Sequence, residues 1–185
     1  MAPLPYGLSQ ALNQLTQTAQ QSVTDLTKVR VDKWKTDDRS KDQSRSNIES
    51  LQRNLTSALP ALVQQVQANP ANLTPIVKLY RNLNAVYDVM VSVTESTGAF
   101  GSKDDYELLA SDAGNMDTVR RSIAEQLEQM AANQDAQVAR MAQARAQQQA
   151  AAVAAPPKQV IVDDTDTVKK PTTKKKTTAK TPPKQ

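Results

Sequence analysis

Leu8, Leu12, Leu15, Ala19, Ser22, Leu26 and Val29 succeed one another at spacings that alternate between four and three. That alternation keeps them on one face of a helix. Pro5 and Gly7 precede the run and Ser9 suits an N-cap, which predicts a first helix at about residues 9 to 35. The polar cluster TDDRSKDQS, residues 36 to 44, then reads as a turn, with Trp34 just before it.

A second stripe runs Ile48, Leu51, Leu55, Ala58, Leu62 and Val66, closed by NPAN at 69 to 72. Pro60 falls inside it. A proline there removes one backbone hydrogen bond and crowds the preceding turn, so a kink near 56 to 60 or two shorter helices is expected. Thr74 followed by Pro75 offers a cap oxygen and then a proline at the first helical position of a third helix. Its stripe is Ile76, Leu79, Leu83, Val86, Met90 and Val93; a second row, Val77, Tyr80, Tyr87 and Val91, widens the face and marks this helix as central. Gly98 is the expected C-cap and Gly101 a following loop.

Ser102, with Asp105 three residues on, opens a fourth helix whose stripe is Tyr106, Leu109, Ala113, Met116, Val119, Ile123, Leu127 and Met130, with Gly114 as a possible bend or break. Beyond residue 130 only Val138 and Met141 continue the stripe, while the Ala- and Gln-rich sequence keeps a high helix propensity. Such a helix outruns its bundle and is either solvated or paired with another chain. The architecture expected is all-α: an up-and-down bundle of about four helices over residues 1–132, a protruding Ala/Gln-rich helix over 133–155, and a disordered Lys/Thr/Pro-rich tail over 156–185. Core packing accounts for nearly every Leu, Val and Met in these stripes.

Composition narrows the function more than the fold. There is no cysteine and no histidine among the 185 residues. The first absence removes disulfides and thiol nucleophiles; the second removes the commonest general base near neutral pH and the commonest transition-metal ligand. Phosphate-loop, dinucleotide and nucleophile-elbow patterns are missing as well. The acid groups at Asp37/Asp38 and Asp104/Asp105/Glu107 fall at expected turns and helix starts, where carboxylates complement the helix dipole. Asp163, Asp164 and Asp166 lack the glycine and distal glutamate of a calcium loop. Asn54 and Asn72 begin Asn-Leu-Thr triplets that match the glycosylation sequon, accidental in an unexported chain. The expectation is no enzyme, no cofactor and no bound metal.

Charge is unevenly placed. The chain carries a net +4, but residues 1–155 hold 15 basic against 16 acidic side chains, so the basicity belongs to the last thirty residues. Lys169, Lys170, Lys174, Lys175, Lys176, Lys180 and Lys184 have no arginine or aromatic among them, which points to weak, salt-sensitive polyanion attachment rather than base reading. In composition this tail resembles the lysine-rich tails of linker-histone-like proteins. Val160, Ile161 and Val162 form a β-prone island within it that could dock on a partner as an added strand.

Together these features predict a structural or interaction protein that binds a protein partner or a second copy of itself, with the tail as an electrostatic tether. The alternative is a sequence-independent nucleic-acid-binding protein that acts through the tail lysines. No transmembrane segment is expected. A cytoplasmic location is expected from the lack of a signal peptide, or a periplasmic or secreted one if a signal was removed before Met1.

Overall fold

A computed structural model describes residues 4–154. The described residues fall into two units, divided between Gln143 and Ala144. The first is an all-helical bundle of α1 (Tyr6–Leu26), α2 (Asp38–Arg53), α3 (Leu59–Ala68), α4 (Leu73–Phe100) and the first part of α5 (Lys103–Ala154). In the second unit, the helix of α5 continues to Ala154, with exposed side chains through Val153. No strand occurs among the described residues. The tail, with its lysines and the Val160–Val162 island, lies outside them.

Direction follows from contacts between helices. Thr94 late in α4 donates to the backbone oxygen of Leu109 early in α5, and Arg120 further along α5 reaches Asn84 earlier in α4 at 3.2 Å. Gly7 at the start of α1 faces Gln126, and Gln134 donates to the oxygen of Ala71 before α4. Helices α4 and α5 are therefore antiparallel, and α1 runs against α5, the up-and-down order expected of short connections. The Arg120 guanidinium also lies 4.7 Å from the centre of the Tyr87 ring and pairs with Asp117.

The α4 stripe is buried throughout: Ile76, Leu79, Leu83 and Met90 are wholly enclosed, Val86 and Val93 nearly so. Its second row is narrower than expected, because Tyr80 and Tyr87 are only partly buried and Val77 is exposed. Helix α4 packs on both α2 and α3, which gives it the central place the pattern implies.

Several local expectations are corrected. Helix α1 stops at Leu26, not near residue 35. The chain then makes a 3₁₀ turn at Val31–Lys33 that buries Val31 and Trp34. Enclosing an indole and a valine outweighs extending a helix through the β-branched Val29 and Val31.

At Pro60 the helical path is kept, but a π turn spans Asn54–Ala58. The widened turn accommodates a proline that cannot donate to the preceding turn. It also inserts one residue into the register, so after Leu55 the buried positions are Leu59, Val63 and Val66 instead of Ala58 and Leu62.

The cap of α4 is Asn72, whose side chain accepts from the Thr74 N–H at 2.9 Å, and Pro75 lies inside the first turn. Gly98 is not a C-cap: α4 runs to Phe100, and Gly98 leaves room for Tyr106, whose ring would lie 2.9 Å from an added Cβ. Gly101 is the C-cap, its N–H bonded to Thr97 at 2.8 Å. Gly114 interrupts nothing, since α5 is continuous across it.

Candidate functional site

The α5 stripe Leu109, Met116, Val119 and Ile123 carries a carboxyl within it. Asp112 is 2% exposed, and across from it on α1 lie Ser22, with no exposure, and Asp25, at 2%. Burial, and then the Asp25 charge, push Asp112 up to about 6, while the nearby Ser22 hydroxyl and Lys28 pull the other way. Neither Ser22 Oγ nor Asp112 Oδ2 completes a hydrogen bond. Burial also raises Asp25, but bonds from Lys28 Nζ at 2.6 Å and Gln21 Nε2 at 2.7 Å, with the Lys28 charge, leave it below the ordinary carboxylate value. The pair thus joins one carboxyl that keeps its charge into acid and one that gives up its charge near pH 6. With Asp112 so enclosed, a substrate in solvent cannot meet it.

Among the accessible surfaces are a groove and an exposed helix. The first is a groove of about 570 Å³ between α1 and the π turn with α3. Leu15, Ala19 and Val23 form one wall and Leu55, Leu59 and Val63 the other; the rim is threonine and glutamine, with no charged side chain. It opens because α1 packs on α2 and the π turn while α3 packs on α4. The second is α5 from Ala132 to Val153, where every side chain is exposed. Val138 is 61% exposed, Met141 54% and Val153 88%.

Among residues singled out from the sequence, Asp37 caps α2, its carboxylate accepting from the Ser40 N–H at 2.9 Å. Asp104 and Asp105 occupy the first turn of α5, where the Ser102 hydroxyl accepts from the Asp105 N–H at 3.1 Å. Asp37 is thus a cap, whereas Asp104 and Asp105 complement the dipole of a helix capped by Ser102. Lys169, Lys170, Lys174, Lys175, Lys176, Lys180 and Lys184, together with Val160, Ile161 and Val162, lie outside the described residues, so the geometry brings none of them to a site. The apolar pattern passes through Ala113, but position 112, three after Leu109 and four before Met116, is the buried one that continues the stripe.

Among the described residues no helix is long and apolar enough to cross a membrane, and no group of three or more acidic side chains is placed to hold a metal ion. Compared with known protein families, curated protein sequences and solved structures, the chain has no significant match.

Proposed function

We propose that this protein is a non-enzymatic helical interaction protein, its exposed helical faces binding a protein partner or a second copy, with the lysine-rich end adding weak electrostatic attachment. The observation that carries the reading is the exposed run from Ala132 to Val153 of α5. A 52-residue helix is far longer than the average of about 11 to 12 residues in globular proteins. Helices in proteins take most of their stability from packing an apolar face, so an exposed stretch carrying Val138 and Met141 suits pairing with another helix.

Light scattering on the full chain, with and without Val138→Lys and Met141→Lys together, tests the self-pairing form of the proposal. A mass above the 20.2 kDa protomer that reverts to the protomer in the variant is expected. A monomer at all concentrations rejects self-pairing. The tail contribution is tested by a salt titration on DNA and on heparin. Binding to both that weakens with salt supports an electrostatic tether; DNA binding that persists at high salt opposes it.

A further inference from the structure

Residues 28–35, KVRVDKWK, hold four cations and one acid. The 3₁₀ turn buries Val31 and Trp34 and leaves Arg30, Lys33 and Lys35 exposed around them. The Lys35 N–H bonds to the Phe100 oxygen at 3.3 Å, which pins the turn against the α4–α5 junction. Between them lies a cavity of about 530 Å³, within the range of small-ligand sites. Lys28, Arg30, Lys33 and Lys35 line it, with Asp105 as its one acid.

Two of the neighbouring acids are otherwise engaged, while Asp105 is in no ion pair among the described residues. Asp32 pairs with Arg45 at 2.5 Å, and Lys28 is held by Asp25. Arg30, Lys33 and Lys35 have no carboxylate within ion-pair distance among the described residues. In a sequence whose first 155 residues are nearly neutral, this is a local concentration of positive charge and not general basicity.

A second observation is independent of charge. Trp34, 4% exposed, has an indole N–H with no acceptor, although buried polar groups are nearly always paired. It lies against Gly101, a lining residue of the cavity; an added Cβ there would sit 3.0 Å from Nε1. Phe100, also in the lining and 38% exposed, has its ring centre 6.5 Å from that of Trp34.

We propose that this cavity binds a nucleotide, its phosphates held by Arg30, Lys33 and Lys35 and its base set against Phe100. Arginine matches phosphate oxygens with a planar fork and lysine supplies point charge, while an exposed aromatic ring is a stacking face for any base. The lining of this site shares no residue with the groove, with the run 132–153 of α5 or with the lysine-rich sequence after residue 156.

Trp34 is the only tryptophan in the chain, so its fluorescence and its single indole N–H resonance report occupancy directly. The full chain is titrated with ADP, pyrophosphate and adenosine at low salt. ADP is expected to give a saturable change in Trp34 emission and to shift the indole resonance; pyrophosphate should bind more weakly and adenosine more weakly still. Lys33→Glu with Lys35→Glu, both exposed and so compatible with an unchanged fold, should weaken ADP binding roughly tenfold or more. Replacing Lys174, Lys175 and Lys176 by Gln should leave it unchanged. No saturable response to ADP, undiminished binding by the charge-reversed variant, or loss of binding in the tail variant would each overturn the proposal. Pyrophosphate binding as tightly as ADP would overturn the role of Phe100.

Discussion

Replacing Asp112 by Asn removes a charge from the bundle interior and keeps the shape of the side chain. Raising a carboxyl from 3.8 to about 6 destabilises the folded, ionised form by about 3 kcal/mol, at about 1.4 kcal/mol per pH unit. Because the folded-state value is raised, the folded protein holds the proton more tightly than the unfolded chain. The contribution of Asp112 is then fully present below pH 3.8 and is lost as pH rises through about 6. Asp25, Asp37 and Asp117 are lowered, so their contributions are lost only as the solution becomes strongly acidic. With no histidine in the chain, the interval from pH 5 to 7 isolates Asp112. Over it the native protein should lose about 1.4 kcal/mol, the rest of the loss falling below pH 5. Asp112→Asn should abolish that slope and gain about 2 to 3 kcal/mol at pH 7, a rise in Tm of about 5 to 10 °C for a chain of this size. Thermal unfolding followed by circular dichroism measures both. A native Tm that is level or rising from pH 5 to 7, or a variant less stable than the native protein at pH 7, would refute the reasoning.

Other expectations concern the frame of the bundle. Leu59→Ala should cost about 2 to 5 kcal/mol in denaturant unfolding and Leu62→Ala clearly less, because the π turn moves the buried register to Leu59; the reverse order would mean an uninterrupted α-helical stripe. Gly114→Ala should stabilise by about 1 kcal/mol, since an added Cβ meets nothing within 4 Å in the middle of α5; a loss in Tm would contradict this. Asn72→Ala should cost about 1 kcal/mol by removing the cap on Thr74, and Thr74→Ala much less; equal losses would return the cap to Thr74.

Much of the frame was legible in the order of residues. The stripes of α1 and α4 name the buried apolar positions almost one for one, since 3.6-residue periodicity and a shared core leave few alternatives. What escaped is where local geometry overrides period. Pro60 announced a disturbance, but whether the helix would kink or admit one extra residue depended on how Leu59 and Val63 pack. Gly98 resembled a C-cap until Tyr106 was placed against it; only a contact between helices could assign it. The aspartate at 112 could have been found, because an acid three residues after Leu109 and four before Met116 breaks an apolar series. The run KVRVDKWK was also visible, yet its placement inside a long first helix would have spread its cations around a cylinder. Ending α1 at Leu26 and burying Val31 and Trp34 gathers them at one cavity.

The central claim is that the exposed run of α5 pairs with another helix, and amide hydrogen exchange tests it most directly. In the full chain, peptides covering residues 132–153 should gain protection as protein concentration rises, and Val138→Lys with Met141→Lys should abolish the gain while leaving α4 protected. Fast, concentration-independent exchange across 132–153, with the bundle intact, would contradict self-pairing and mark this stretch as a solitary, solvated helix.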